Sequence, residues 1–449
     1  MRAYLSHLIQ VNDIQPVSAR IDIVSKSGET LVPKGANIDQ STAETIGTHP
    51  LELPISHYIS LEEQFTADTI YSLFMEFVTS DPALNELHSQ RELEEKYIDC
   101  VEAFCTYDEL RQTLNVLAIQ LPDVFDQALF CAWMVVTIMA SENQPQFRLN
   151  NAFIAALSHD LGLLNVPPSI LFKTESLSSE EWIEMQQHPK HSASLLKSLP
   201  GIDKESVVAV LEHHEVIDGT GYPRGKASHQ LGELGQLLYQ LDSINAIYRK
   251  HYKTRQRSLH DMVPIIQMST LSRGGIHTDA LAALFNSTAS TEHCAIAEEV
   301  IPSAIALVKA NAEEISQFAN VTAEFSKTVG TKHRDLNLLG LQNISRMIRS
   351  TLSSCGIIND AYMRWLDQVG EEKLIFAYRE LEDVLLMTQE IKFHIQRYHR
   401  QVAVYLSQPN TSEITQHVTD LQTQLNNIPR SETDENDLIA YLQGKSIAC

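Results

Sequence analysis

Histidines concentrate in one segment of this 449-residue chain, which has 18 of them in all. Five fall within the 56 residues from His159 to His214, where uniform scattering would place about two. Neutral imidazoles and carboxylates are ligands that a borderline cation such as iron or manganese accepts, and one aspartate has two oxygens with which to bridge a metal pair. The enrichment suggests a metal centre, and the residues that could contribute ligands include His159, Asp160, His188, His213, His214 and, further along the chain, Asp242.

The stretch LEHHEVIDGTGYPRG, residues 211–225, combines two adjacent histidines with a glycine-rich turn. Adjacent residues on a helix point about 100° apart, so His213 and His214 face one ion in the same way only if the helix ends there. Otherwise one of the pair serves a second ion. The structural alternative is a partly buried pair with ordinary hydrogen bonds, but the DGTGYP string that follows disfavours it.

Composition bounds the partners and the compartment. Lys and Arg total 34 against 57 Asp and Glu, and the resulting formal charge of −23 repels polymeric nucleic acid and anionic membranes. The six cysteines lack a CxxC pair, which predicts free thiols in the cytoplasm. No export signal is present at the N-terminus. The longest apolar run, residues 128–140, is shorter than the roughly 20 residues that cross a bilayer, so we expect a buried helix there.

Periodicity predicts a mainly α fold in three parts. Residues 19–38 alternate apolar and polar side chains around Ser27 and Gly28, as in a β-hairpin with one covered face. From residue 61 onward, apolar residues recur three and four apart, which indicates helices. We expect an N-terminal α/β and helical region at 1–105, a central helical domain with the histidines at 106–290, and a C-terminal helical bundle with a polar tail and a last short helix at 291–449.

The motifs together resemble the HD-GYP family, a branch of the HD phosphohydrolases. HDLG begins at His159, HP follows 29 residues later at His188, and HHEVIDGTGYPRG begins at His213. An aspartate, Asp242, stands 28 residues after His214. The resemblance extends over about residues 123–285, including GGIHTDALAALF, and it implies a helical domain that binds divalent ions.

The resemblance also implies an activity, namely hydrolysis of cyclic-di-GMP to pGpG or GMP in bacterial second-messenger signalling. Asp160 corresponds to the bridging carboxylate and, with His159, to the catalytic pair, and iron or manganese is expected at two sites. The signature loop of Gly219, Gly221, Tyr222 and Pro223 is associated in this family with contacts to diguanylate cyclase (GGDEF) domains. Glycine permits backbone angles there that are closed to other residues.

Two positions depart from the family pattern. Leu163 replaces a lysine that can meet the substrate phosphate or the attacking water. Gln127 replaces a histidine ligand of the first ion, and no histidine occurs between His88 and His159. A carboxylate of Asp123 or Asp126 could substitute; otherwise the first ion is held more weakly.

The segment YRKHYKTRQR, residues 248–257, is a local exception to the acidic composition. Arg249, Lys250 and Lys253 there, together with Tyr222, are the predicted contacts of a dianionic cyclic dinucleotide. A solvated helix face explains the basic residues equally well. Glu215 is predicted to orient one of the ligand histidines.

Two functions follow from these residues. The first is a metal-dependent phosphodiesterase with weak or altered activity, and the second is a degenerate module that binds cyclic-di-GMP or a diguanylate cyclase without hydrolysis. Leu163 and Gln127 favour the second. We favour the first, because a protein freed from catalysis has little physical reason to keep six costly ligands.

Overall fold

The computed structural model describes residues 2–273, 276–291, 296–330, 335–356, 359–374, 377–407, 413–431 and 438. The chain divides into two compact units. The first unit contains Met1–Glu215, Tyr222–Arg224 and Leu231–Asn245, and the second contains Val216–Gly221, Gly225–Gln230 and Ala246–Cys449. The sequence-based boundaries near residues 105 and 290 stay a prediction.

The first unit combines four short strands with thirteen helices in the part of the chain that the structure describes. The strands are β1 (Val17–Ala19), β2 (Ile23–Val24), β3 (Thr30–Val32) and β4 (Ile59–Leu61). The helices are α1 (Arg2–Asn12), α2 (Gln40–Gly47), α3 (Ala67–Ser80), α4 (Pro82–Ser89), α5 (Glu94–Cys105), α6 (Asp108–Gln120), α7 (Pro122–Ser141), α8 (Gln146–Ser158), α9 (Pro168–Leu171), α10 (Ser179–Met185), α11 (His188–Ser198), α12 (Lys204–Glu212) and most of α13 (Glu233–Ile247).

The predicted hairpin is confirmed, because β2 pairs antiparallel with β3. Gly28 in its turn has a φ of +84°, a left-handed conformation that costs glycine little. A second antiparallel pair, β1 with β4, was not predicted, since three residues are too few to show an alternating pattern. The mainly α fold class is confirmed.

Helix α7 is the apolar centre of the first unit. It is the one described helix whose length and composition would also suit a membrane span. Its side chains are instead buried inside the protein, with Phe130, Trp133 and Val135 fully enclosed. Helix α8 packs along α7, and α5 and α12 pack on α8. The prediction of a buried helix is therefore confirmed. Cys100, Cys105, Cys131 and Cys355 are not in disulfides, whereas Cys294 and Cys449 lie outside the described residues.

The second unit contains the long C-terminal helices. They are α14 (Val263–Arg273), α15 (Thr278–Asn286), α16 (Ile301–Val329), α17 (Leu336–Cys355), α18 (Asp360–Glu372), α19 (Tyr378–Leu406) and α20 (Glu413–Asn426). Helix α19 packs against α16 and α17, which confirms the predicted bundle. The predicted last short helix, residues 438–443, lies outside the described residues except for Leu438.

A buried ionic cluster joins the start of α14 to α19 within the second unit. The Arg257 guanidinium lies 3.3 Å from Asp261 Oδ2, 3.4 Å from Glu382 Oε1 and 2.6 Å from Asp383 Oδ1. The side chains of Arg257, Asp261 and Glu382 are almost fully enclosed. Arg257 thus pairs with two enclosed carboxylates and one partly exposed carboxylate, and Arg379 also pairs with Asp261.

Removing this guanidinium is expected to destabilise the protein. Arg257→Ala should lower the free energy of unfolding by about 3–5 kcal/mol, because Glu382 would stay buried after losing this cation, whereas Asp261 would keep Arg379. As a control, Lys327→Ala removes an exposed ion pair with Glu324 and should change that free energy by less than about 1 kcal/mol. Urea denaturation followed by circular dichroism measures both. Equal losses in the two variants would contradict the interpretation.

Candidate metal centre

Three of the predicted ligand histidines lie at helix ends. His159 follows α8, His213 follows α12 and His188 begins α11 just after α10. The Nδ1 atom of each is close to the backbone carbonyl oxygen three residues earlier, at 2.6 Å for His159 and His213 and 2.8 Å for His188. The last carbonyls of a helix have no partner within it, so they accept the Nδ1 proton. This contact leaves Nε2 with the lone pair that a metal ion uses.

The Nε2 atoms of His188 and His213 converge on one oxygen of Asp160. Asp160 Oδ1 lies 3.3 Å from the first and 3.4 Å from the second, and the two Nε2 atoms are 3.3 Å apart. The ligand atoms of these three residues and of His214 all lie within 4.8 Å of one another. Asp160 Oδ1 is buried without a hydrogen-bond donor. Such a set of acceptors fits a divalent cation, which would satisfy all of them together.

A second group lies on the other side of the same carboxylate. Asp160 Oδ2 is 3.1 Å from His159 Nε2, and the ligand atoms of His159, Asp242 and Cys131 lie within 4.8 Å of one another. Asp160 therefore presents one oxygen to each group, as a bridging ligand requires. Cys131 was missed in the sequence because it stands in an apolar run. Its position one helical turn after Gln127 is the signal that could have identified it.

Burial and neighbouring charges shift the pKa values of the site residues. Burial lowers the pKa of His213 to about 4, which keeps its Nε2 lone pair free. Burial also opposes protonation of His159, but the charge and hydrogen bond of Asp160 outweigh it and raise this pKa to about 9. Burial and the charge of Asp160 raise the pKa of Asp242 to about 6. Around Asp160 and Asp242 these shifts favour positive charge, which a divalent ion would supply.

The helix end also settles how His213 and His214 are arranged. Helix α12 stops at Glu212, so the condition under which both residues face one ion is met, and both belong to the group around Asp160 Oδ1. Neither Asp123 nor Asp126 belongs to either group among the described residues. The Gln127 amide instead donates a hydrogen bond to Asp242 Oδ1.

Known proteins are similar to the part of the chain that contains these residues. A family model described as "HD domain" matches residues 111–273. This part of the chain is therefore similar to HD domains. A cyclic di-GMP phosphodiesterase of Pseudomonas aeruginosa is 35% identical over 117 residues, which are 26% of this chain and 28% of that protein. A cyclic di-GMP phosphodiesterase of Thermotoga maritima is 31% identical over 123 residues, 27% of this chain and 33% of that protein.

Two further proteins are similar to this chain. A 3'3'-cGAMP-specific phosphodiesterase of Vibrio cholerae is 30% identical over 124 residues, 28% of this chain and 25% of that protein. A solved HDG"Y"P protein from Bdellovibrio bacteriovorus has a TM-score of 0.32 at 12% identity, over 61% of this chain and 94% of its own. The chain thus spans only a quarter to a third of the length of these curated relatives. The resemblance to HD phosphohydrolases seen in the motifs is confirmed by the family model and by these relatives.

Close packing holds the HD motif against α11. The Gly162 N–H donates to Ser192 Oγ at 2.7 Å. A Cβ atom at position 162 would lie 2.1 Å from the His188 carbonyl oxygen, so only glycine allows this approach. Leu163, in the family's lysine position, is 8% exposed and belongs to the same buried turn. Its apolar side chain fits this environment and offers no charge to the site.

Two aromatic residues, Tyr222 and Trp182, form an aromatic wall beside His214. The Tyr222 ring centroid is 4.7 Å from that of His214, and the Tyr222 N–H donates to the His214 carbonyl at 3.1 Å. Trp182 on α10 contacts Tyr222 edge-on at 6.0 Å and is 46% exposed. No motif or spacing in the sequence singled out Trp182. The peptide bond between Tyr222 and Pro223 is cis.

The glycine-rich part of the signature loop is held within the second unit. Gly219 has a φ of +83°, as the glycine argument requires, and Gly221 lies in the same loop. Asp218 accepts from the Thr220 hydroxyl at 2.6 Å and pairs with Arg397 of α19. Arg397 is 179 residues away in sequence, so no local pattern could reveal this pair.

The basic segment follows α13 in the second unit. Arg249 and Lys250 belong to a π-helical turn, Tyr248–Tyr252, and Lys253 begins a 3₁₀ turn. Lys250 and Lys253 are exposed. Their contact with a substrate phosphate stays a prediction. Glu215, predicted to orient a histidine, accepts the Arg224 backbone N–H at 2.7 Å.

Filling the space beside Gly162 is expected to disturb the centre. Gly162→Ala should lower the free energy of unfolding by about 1–3 kcal/mol and reduce metal binding, because the new methyl group displaces the backbone of His188. The control Gly47→Ala has only ordinary contacts at 3.8 Å and should change stability by less than about 1 kcal/mol. Thermal unfolding and elemental analysis check this. Full metal content in Gly162→Ala would show that the close approach does not position His188.

Proposed function

We propose that this protein is a metal-dependent phosphodiesterase that hydrolyses cyclic-di-GMP to pGpG or GMP in bacterial second-messenger signalling. The observation that supports it most is the placement of Asp160, whose two oxygens face two buried groups of ligand atoms. Two bridged ions suit in-line displacement at phosphorus. The names of the relatives, cyclic di-GMP and 3'3'-cGAMP phosphodiesterases, support a cyclic dinucleotide as the substrate.

The residues divide into two sets of ligands. His188, His213, His214 and Asp160 Oδ1 would hold one ion, whereas His159, Asp242 and Asp160 Oδ2 would hold the other. When bound, the ions, iron or manganese, supply positive charge for the phosphoryl oxygens and activate the attacking water. The backbone carbonyls behind His159, His188 and His213 keep each Nε2 aimed at the centre.

The aromatic wall is the proposed place for a base of the substrate. A phosphodiester at the centre would bring one purine of a cyclic dinucleotide toward Tyr222 and the exposed face of Trp182. Base stacking on aromatic rings contributes about 1–3 kcal/mol per base. Arg249, Lys250 and Lys253 are the proposed phosphate contacts. The chain is proposed to act in the cytoplasm, with the signature loop as a contact for diguanylate cyclase domains.

A second candidate function rests on two observations at the centre. Leu163 is buried and apolar where the family has lysine, and Gln127 donates to Asp242 where the family has a histidine ligand. Both favour a module that binds cyclic-di-GMP, or a cyclase partner, without hydrolysis. Product formation separates this function from the first.

Hydrolysis is tested on the protein loaded anaerobically with Fe(II) or Mn(II). We expect cyclic-di-GMP to yield pGpG or GMP, separated by chromatography, and Asp160→Ala to reduce the rate by more than about 100-fold through loss of metal, because even changes behind a ligand cost 10–100-fold. Asp68→Ala, an exposed change on α3, should leave the rate unaltered.

The outcomes distinguish the candidates. Intact cyclic-di-GMP with every metal, alongside measurable binding, would favour the non-hydrolytic module. Cleavage of 3'3'-cGAMP without cleavage of cyclic-di-GMP would show that 3'3'-cGAMP is the substrate. Full activity in Asp160→Ala would contradict the metal centre itself.

The aromatic wall has its own test. Trp182→Ala should raise KM for the cyclic dinucleotide by about tenfold, the value of one stacked base, and change kcat little. Ile183→Ala removes a neighbouring side chain that is 58% exposed on the same helix and serves as the matched control. Steady-state kinetics with both variants measures the two constants. An unchanged KM in Trp182→Ala would exclude base stacking on this ring.

A further inference from the structure

A buried thiol on α7 faces the group of His159 and Asp242. This group would hold the first ion, the one whose histidine ligand Gln127 replaces. Cys131 is 1% exposed, and its Sγ lies within 4.8 Å of the ligand atoms of His159 and Asp242. His159, itself 1% exposed, directs its Nε2, which lies 3.1 Å from Asp160 Oδ2, into the same space. The thiol is therefore part of a cluster whose other members already point to a cation.

On the same helix, Gln127 stands where the family has a histidine ligand, so this group lacks one ligand. Gln127 stands one turn before Cys131, and its amide nitrogen donates to Asp242 Oδ1. An amide nitrogen has no lone pair for a metal ion. The group around Asp160 Oδ1 has four ligand residues, whereas the group of His159 and Asp242 has no histidine from α7 to complete it.

We propose that Cys131 is a thiolate ligand of the first ion and takes the place of the missing histidine. This inference rests on the metal centre of the proposed function. Thiolate is a softer ligand than imidazole or carboxylate, so the first site would prefer Fe(II) or Zn(II) over Mn(II). The thiol proton is released to water when the ion binds, as for other cysteine ligands. The two sites of one centre would then differ in metal preference.

Cys100 provides a matched control in the same unit. It is as buried as Cys131, but its Sγ donates to Asn150 Oδ1 at 3.4 Å and belongs to neither ligand group. Replacing either cysteine by alanine removes one buried sulfur. A difference between Cys131→Ala and Cys100→Ala therefore reports on the position and not on the loss of a thiol.

Cobalt substitution tests the proposal without reference to activity. We expect the full chain to bind two Co(II) ions and to show a near-ultraviolet thiolate-to-cobalt charge-transfer band. Cys131→Ala should lose the band and one of the two ions, and its Zn(II) affinity at that site should fall by at least about tenfold. Cys131→Ser, which keeps the size of the side chain, should also lose the band. Cys100→Ala should keep the band and both ions.

The contrary outcomes separate this inference from the proposed function. Two bound ions without the band, or a band that survives in Cys131→Ala, would overturn the thiolate ligand and leave the metal centre intact. Absence of any bound ion from the unsubstituted protein, or full cobalt binding by Asp160→Ala, would overturn the metal centre and this inference with it.

Discussion

The hydrogen bond between a histidine Nδ1 and the last carbonyls of a helix is the interaction on which the candidate centre depends. His159, His188 and His213 all make it, from three different places in the chain. Each bond satisfies a carbonyl that a helix end would otherwise leave without a partner, and it fixes the ring so that Nε2 points away from the helix. The contact that satisfies a carbonyl at the end of a helix thus also orients a candidate ligand.

This arrangement explains why the helices must end where they do. If α8 or α12 continued by one turn, the carbonyls of Ala156 and Val210 would accept from backbone N–H groups and the imidazoles would lose their orienting partners. Gly162 adds a second constraint, because the HD turn can approach α11 only without a Cβ atom. The positions of the candidate ligands therefore depend both on where the helices end and on the glycine at position 162.

The sequence predicted the parts of the site that recur at fixed spacing. His159, Asp160, His188 and the pair at 213 and 214 were identified because a motif orders them along the chain. Cys131, Trp182 and Arg397 were missed for physical reasons: a thiol in an apolar helix and a tryptophan on a short helix both look like packing residues. The Arg397 partner, Asp218, is distant in sequence. The hairpin and the helical bundle followed from periodicity, whereas the three-residue strands were too short to show any.

The two ligand groups are unequal, and that inequality bears on how the centre would work. The group with three histidines offers ligands that suit iron and manganese alike, whereas the other group combines one histidine with Asp242 and a thiol. Asp160 would couple them, since an ion at either group would withdraw charge from the carboxylate that the other group shares. In the proposed two-ion centre, binding of one ion would therefore change the affinity for the next.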